Sequence, residues 1–539
     1  MISSNKSKQT EKRSKKILFV SPDMGGMSAY IQYHAPPLGV VRLAGYLSSK
    51  GHHGKYFDPN LYACNKKGLS LEETLKKENW DIVGFSILDE TLLQDIQNIY
   101  LAKKLCPNAL IVAGGVEAQF NYQEILDKTP CQIVILGEGE VPMRMIADGL
   151  TYNDIPGIVV KNNAEALSEE LFNEASHSIQ WEKINYEEYW NVYTKMYGDQ
   201  WNDEMENSIH TVRVFSRNRC PIGCKFCSST FQLTSASNSK VPVRSLTEEN
   251  LVNVIERIHK SHPRVRMIYL TDDDFIINKK SVIRFCKKVV ERKFKNLRFM
   301  CFARITDLNE EVIQWLNKAN FVKLNIGVES WSQNVLNEMG KRCDVNKIEP
   351  VLKLLKKYNI RPFLNIIMTT PKSKLEDVEL TVDTIIEYTK DSFYMGGTQL
   401  GIRPLKGTTF YEEFSNYKSY IVDIKGTDYK IRRNELIWAE DPLVLELQKR
   451  FLAAQTPLFE KFTKENNVRH PNQETLSVMY YKFVKKLIKD IRAEVSNGGL
   501  KSSKFNENFK EIKKRQHLYS RNVKFNKFMN TNQNIKLKS

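Results

Sequence analysis

No stretch of this 539-residue chain is apolar for long enough to cross a bilayer, which takes about twenty consecutive apolar residues. Its basic start runs into the four-residue apolar segment Ile-Leu-Phe-Val at 17–20, too short for the core of a signal peptide. The nine cysteines are odd in number and scattered, so they form no disulfide framework. A reducing, cytoplasmic setting is expected. Gly-x-Gly-x-x-Gly is missing, and with it the usual fingerprint of a nicotinamide or flavin site. Apolar content of 41% and charged content of 27% describe a soluble globular protein. The length calls for roughly two to four domains.

The net charge of +17 raises the question of nucleic acid. Over most of the chain, however, Lys alternates with Glu and Asp, the pattern of solvated helix faces. The excess sits at the two ends, 6–16 and 501–538, which read as disordered basic tails. A nucleic-acid substrate is the less favoured reading, and no membrane partner is expected.

What the chain does have is one concentrated feature, the run Ser-Arg-Asn-Arg-Cys-Pro-Ile-Gly-Cys-Lys-Phe-Cys at 216–227. Cys220, Cys224 and Cys227 can bind three corners of a four-iron cluster, whereas electron-transfer clusters usually take four cysteines. The next cysteine is Cys286, far outside ferredoxin-like spacing, so one iron stays open for a ligand. Pro221 and Gly223 suit a tight loop that turns amides toward the sulfurs, and Phe226 places an aromatic beside the last ligand. The alternatives are a zinc loop or three unrelated buried thiols, although zinc sites usually need a second ligand pair. The spacing resembles the cluster signature of the radical S-adenosylmethionine (SAM) superfamily, C-x3-C-x-aromatic-C. The resemblance implies a [4Fe–4S] cluster whose open iron binds the amino and carboxylate groups of SAM. Reductive cleavage there yields methionine and a 5′-deoxyadenosyl radical.

Upstream, short apolar runs at 17–20, 55–57, 82–86, 110–113 and 133–136 alternate with helical patterns, notably 36–50 and 92–105. This alternation implies a parallel sheet covered on both faces, with ligands at the C-terminal strand ends. The runs at 36–47, 83–86, 113–118 and 136–140 resemble in order the cobalamin-binding domain of class B radical SAM enzymes. Many cobalamin domains carry Asp-x-His-x-x-Gly, but the region matched to it here, 57–62, has neither the His nor the Gly. The resemblance therefore implies cobalamin held without a histidine ligand, and a Rossmann-like platform without the cofactor stays open. His52 and His53 read as exposed turn residues, and Met-Gly-Gly-Met at 24–27 as a flexible loop.

The expected architecture is α/β. A basic tail (1–15) leads to a Rossmann-like, cobalamin-binding-type domain (16–150) and a linker with a small hairpin at 155–163 (151–207). A partial (β/α)6 TIM-type barrel (208–410), a helical C-terminal region (411–500) and a second basic tail (501–539) follow. Barrel strands are expected at 211–215, 267–270, 297–302, 321–327, 363–368 and 398–402, with the cysteine loop after the first. The helices of 440–500 are expected to cap the barrel and shape the substrate cavity.

Polar residues at these strand ends are the SAM candidates. Asp272, Asp273 and Asp274, before Phe275, resemble the family's Asp-Asp-Asn-Phe segment near the SAM amino group; an acidic helix cap is the alternative. Arg304 can pair bidentately with the SAM carboxylate or form a surface ion pair. Gly-Val-Glu-Ser-Trp-Ser-Gln at 327–333, followed by Met-Gly-Lys at 339–341, resembles a further family motif. It implies Glu329 and Ser330 near the SAM ribose and amino groups, with Trp331 in place of the usual small residue. Pro-Leu-Lys-Gly-Thr-Thr at 404–409 is similar to the family's turn after the sixth strand, with one proline missing. Cys301 and the remaining cysteines read as core thiols.

The resemblance thus implies a radical SAM enzyme that methylates an unactivated carbon of a small molecule with the help of cobalamin. Its partners would be that substrate and an electron donor such as flavodoxin or ferredoxin. Cobalamin-independent rearrangement, oxidation or cyclisation is the alternative, as is modification of tRNA or peptide. Methylthiotransferases of that last kind carry extra N-terminal cysteines, and Cys64, Cys106 and Cys131 do not reproduce their pattern.

Overall fold

The computed structural model describes residues 13–24, 35–158, 167–197, 207–229, 241–414, 419–424, 426–434, 437–465 and 473–500. The basic tails before 13 and after 500, the glycine pair at 25–26 and the second half of the expected hairpin lie outside the described residues.

Five parallel strands build the first domain: β1 (Lys16–Val20), β2 (His53–Phe57), β3 (Ile82–Ser86), β4 (Leu110–Gly114) and β5 (Ile133–Val134), in spatial order β2-β1-β3-β4-β5. Side chains alternate across a strand, so continuous apolar runs feed two cores at once. Leu18, Val20, Val83, Phe85 and Ile111 pack on one face with Ile96 and Ile99 of the helix Leu92–Leu105. Ile17, Phe19, Ile82 and Val112 pack on the other with Val40, Ala44 and Leu47 of the helix Leu38–Ser49. Strand order reverses beside β1, the switch point at which open α/β sheets bind ligands.

The second sheet is β6 (Thr211–Val214), β7 (Met267–Leu270), β8 (Arg298–Arg304), β9 (Phe321–Glu329), β10 (Arg361–Ile367) and β11 (Met395–Gln399). They lie side by side in sequence order and parallel, with helices such as Glu248–Ser261 and Lys279–Arg292 between them. This is the open, six-stranded partial barrel. In β8 the alternation sends Phe299, Cys301 and Ala303 into the helix-facing core. By the same parity it leaves Arg304 on the opposite face with Met300 and Phe302.

Several expectations change. His52 is buried, not an exposed turn residue: its Nε2 lies 3.1 Å from Asp148 Oδ1, and the Lys15 amide reaches its Nδ1. Cys64 is only half-buried, while Cys106, Cys131, Cys286, Cys301 and Cys343 are core thiols as expected. Much of the expected linker is folded. Its helices Glu169–His177 and Tyr186–Tyr197 send Phe172, Tyr186, Tyr189 and Trp190 into the barrel's core. At the start of the segment expected as a hairpin, Ile158 bridges antiparallel to Ile135. The last strand, β11, begins three residues earlier than expected and passes through Gly396, where an added Cβ would stand 3.1 Å from Tyr481 Oη.

The C-terminal region is not wholly helical. Ser419–Asp423 and Lys430–Asn434 form an antiparallel hairpin, and Ile424, Tyr429 and Ile431 fill a gap in the first domain's core. The helices Pro442–Glu465 and Gln473–Ser496 follow; the second packs along the helix Leu375–Lys390 and β11, with Lys485 Nζ 2.7 Å from Asp383. The second helix flanks the last strand, while the first sends Gln448 to the C-terminal end of the barrel strands, where its Nε2 donates to Thr369 Oγ1 at 2.8 Å. Among the described residues no helix is long and apolar enough to cross a membrane.

The junction between the first domain and the helices after it demands a bare backbone at Gly45, where an added Cβ would stand 2.4 Å from the Ser178 carbonyl oxygen. Gly45→Ala is expected to destabilise the protein by about 1–3 kcal/mol through overpacking. Gly39→Ala on the same helix, with nothing within 4 Å, serves as control and is expected to be neutral or stabilising. Urea denaturation of both variants checks this.

Candidate functional site

The cysteine loop leaves β6 and is held from three sides. Asp272, at the end of β7, accepts the Ser216 and Arg217 amides at 2.7 Å each and the Ser216 hydroxyl at 2.5 Å. The Arg217 guanidinium reaches the Asp274 carbonyl at 2.8 Å. On the far side the Lys225 amide donates to Met339 O at 2.9 Å, and the Phe410 amide donates to Lys225 O at 3.0 Å. Gly340, at φ +64°, lets the two turns meet: a Cβ there would stand 3.4 Å from Lys225 Cγ. Phe226 is partly buried against a small cluster that includes Val335, Met339, Ile402 and Phe410, so its ring anchors the loop.

Cys224 is buried, and Cys220 and Cys227 are half-buried. Burial, then the Asp274 and Asp273 carboxylates and the neighbouring Cys227, push the Cys220 thiol up to about 11. Burial, Asp273 and Cys224 push Cys227 up to about 11, and the Lys341 ammonium acts the other way. Metal binding displaces such protons. Among the described residues no three His, Cys, Asp or Glu side chains converge as ligands of one metal ion do. Three buried or half-buried thiols within eight residues supply the donor chemistry of a [4Fe–4S] cluster.

The three aspartates have three different fates, because successive side chains leave an extended segment on opposite sides. Asp272 is buried and its carboxylate is filled by Ser216 and Arg217. Asp273 is exposed and accepts the Ser229 hydroxyl, two residues past Cys227. Asp274 is buried, and its carboxylate meets another acid, Asp307, with no Lys, Arg or amide donor on either oxygen. Burial, with the Asp307 carboxyl beside it, pushes Asp274 up to about 7, against the opposing charges of Arg304 and Arg217.

Arg304 donates from Nη2 to the Lys341 carbonyl at 3.0 Å and pairs with Asp307 at 3.5 Å, leaving its buried Nε without an acceptor. Buried polar groups are normally paired. An orphaned carboxylate beside an orphaned guanidinium nitrogen fits the ammonium and carboxylate of an amino-acid head group such as that of SAM.

Glu329 ends β9 at φ +66°, next to a register shift against β10. Its Oε1 accepts Lys341 Nζ at 2.7 Å, with both side chains under 10% exposed. Burial alone would lower Lys341, but Glu329 and the Cys224 thiol outweigh it and hold the ammonium above its ordinary value. Lys341 was missed as a site residue by reasoning on the sequence; its only signal there was the last position of Met-Gly-Lys. The Ser330 hydroxyl is engaged elsewhere, 2.8 Å from Thr381 Oγ1, and also accepts the Ser332 amide at 3.0 Å. Trp331 stacks on Tyr388 at 5.7 Å between ring centres, away from the strand ends.

Opposite the cysteine loop, the segments after β3 and β4 of the first domain border a cleft of about 150 Å³. Leu88, Glu117 and Phe120 line it from that side, and Ser228, Leu405 and Tyr411 from the barrel side. Ion pairs of Arg403 with Asp89, and of Lys406 with Glu117 at 3.0 Å, tie the two sides together. Gly115, at φ +94°, passes so close to Ile87 that a Cβ would stand 2.8 Å from its backbone. This leaves bare backbone at the ligand-binding edge of the sheet. Among the described residues no histidine lines the cleft, and Asp58 caps the helix Pro59–Asn65 while accepting the Tyr189 hydroxyl at 2.9 Å. The 57–62 segment therefore offers no lower ligand to a cobalamin at this edge.

Two family models match the chain: the radical SAM superfamily over residues 214–385 and the B12 binding domain over residues 25–147. The anaerobic magnesium-protoporphyrin IX monomethyl ester cyclase of Rubrivivax gelatinosus is 25% identical over 70% of this chain, which spans 66% of that relative, just under two thirds. Among solved structures, the radical SAM methyltransferase TsrM from Kitasatospora setae, with tryptophan substrate and a SAM analogue, has a TM-score of 0.62 at 14% identity. That alignment covers 89% of this chain and 99% of TsrM. The cobalamin-dependent SAM radical enzyme OxsB, with aqua-cobalamin and SAM, has a TM-score of 0.61 at 15% identity, covering 94% of this chain and 84% of OxsB.

Asp272→Ala removes the acceptor of the Ser216 and Arg217 amides and of the Ser216 hydroxyl. It is expected to lower stability by about 1.5–3 kcal/mol, the range for a hydrogen bond to a charged group, and to cut iron incorporation severalfold. Urea denaturation and iron per chain after reconstitution measure the two effects.

Proposed function

Because the chain belongs to the radical SAM enzymes that carry a B12-binding domain, we propose that it transfers a methyl group to an unactivated carbon of a small molecule. The observation that carries this reading is the shared cleft. Ser228, next to Cys227, faces the ligand-binding edge of the first domain across it. Bound there, the cluster, SAM and cobalamin supply reductive sulfonium cleavage and a transferable methyl group.

The chain's own residues have the following tasks. Cys220, Cys224 and Cys227 hold three irons and leave the fourth open. Asp274 receives the SAM ammonium and Arg304 the carboxylate, satisfying the two buried groups that lack partners. Glu329 and Lys341 close the wall beside them. The Arg403–Asp89 and Lys406–Glu117 pairs hold the two domains over the cleft and limit water. The electron comes from a donor of the flavodoxin or ferredoxin kind. A second reading, radical cyclisation or oxidation, is favoured by the likeness to the cyclase over 70% of this chain.

Anaerobic reconstitution with iron, sulfide and a corrinoid tests the proposal. The expected absorption spectrum has a broad cluster band and sharper corrinoid bands. Cys224→Ala is expected to lose the cluster band and to abolish reductive SAM cleavage while keeping the corrinoid. A protein that cleaves SAM but takes up no corrinoid would overturn methyl transfer and leave the second reading.

A further inference from the structure

Lys341 is the one buried lysine among the described residues, at 6% exposure. Lysines are almost never fully buried unless paired, and a buried ion pair adds little net stability against its desolvation cost. The fold nevertheless makes room for this pair. A Cβ on Gly327 would stand 2.5 Å from Glu329 Oε1 and 2.6 Å from Lys341 Nζ, so the strand is bare where the pair lies. Glu329 itself is held in the left-handed region at φ +66°, a conformation costly for a non-glycine residue.

The pair is joined to the cysteine loop. Lys341 follows the turn at Met339 and Gly340 that accepts the Lys225 amide, and Arg304 holds the Lys341 carbonyl. A Cβ on Gly340 would stand 3.4 Å from Lys225 Cγ and 3.9 Å from the Gly223 carbonyl oxygen, so the residue before Lys341 packs on both neighbours of Cys224, and the Lys341 ammonium acts on the Cys227 thiol. Resting on the assignment of a [4Fe–4S] cluster to this loop, we propose that the buried Lys341–Glu329 pair sets the cluster's reduction potential.

Reduction adds one electron from a flavodoxin- or ferredoxin-class donor to the cluster and neither makes nor breaks a bond. A fixed positive charge in a poorly screened site favours the electron-richer state, so Lys341 makes the cluster easier to reduce. Glu329 opposes it and confines the ammonium to one place. Removing either charge then moves the potential, and in opposite directions.

The test is a redox titration of the reconstituted full chain without SAM, followed by the EPR signal of the reduced cluster. Lys341→Met is expected to lower the equilibrium constant for reduction at least tenfold, about 59 mV for a one-electron couple. Glu329→Gln is expected to raise it, Lys341→Arg to stay within threefold of the parent, and the double variant K341M/E329Q to fall between the single ones. Shifts of the same sign in both single variants, or none beyond threefold, overturn the proposal. If Lys341→Met does not fold, the sign of the Glu329→Gln shift decides alone. A parent protein with no reducible cluster overturns the cluster assignment itself, an outcome distinct from a cluster insensitive to the pair.

Discussion

The cysteine loop depends on one buried carboxylate. Residues 216–227 hold no strand or helix of their own, so nothing local fixes where three thiols stand. Asp272 takes up two successive amides and a hydroxyl at the point where the chain leaves β6. Backbone hydrogen bonds join Ser216 and Asn218 to Leu246 and Arg244, and Lys225 to Met339 and Phe410, and so tie the loop to segments that follow β6, β9 and β11. Distant strand ends thereby hold the loop at the open end of the barrel.

Around that latch the polar groups divide by whether their capacity is spent. Asp272, Ser330 and Ser332 are each hydrogen-bonded to protein partners. Asp274 and the Arg304 Nε are buried without partners, and in a medium of low polarity such groups are costly. A scaffold keeps unspent capacity where a ligand will use it. The Lys341–Glu329 pair is a third kind, fully matched within itself yet close enough to the thiols to act on them.

The strands were legible because buried parallel strands are uninterrupted apolar runs, and the cysteines because their spacing is itself chemistry. The partner of each polar residue was not. Asp272, Asp273 and Asp274 read as one acidic group, but an extended chain sends neighbours to opposite sides and gives them separate work. Ser330 looked like a SAM contact by its place in a motif, and only the fold brings Thr381 to it from fifty-one residues away. The connector around Phe172 and Trp190 was hidden by its acidic surface, since its aromatic residues are buried in a core that they share with the barrel. The hairpin at 419–434 carried no local signature at all, because its buried residues complete another domain.

That hairpin bears on how the chain is made. The first domain is synthesised first, yet Ile424, Tyr429 and Ile431 reach its core only after the whole barrel has left the ribosome. Until then Leu18, Val83, Ile96 and Ile111 share a core missing three of its members. Closing that contact spans some three hundred residues, the non-local kind that slows folding. During synthesis the nascent domain therefore keeps an apolar gap that the end of its own polypeptide is built to fill, and a chain truncated before residue 424 would carry that gap permanently.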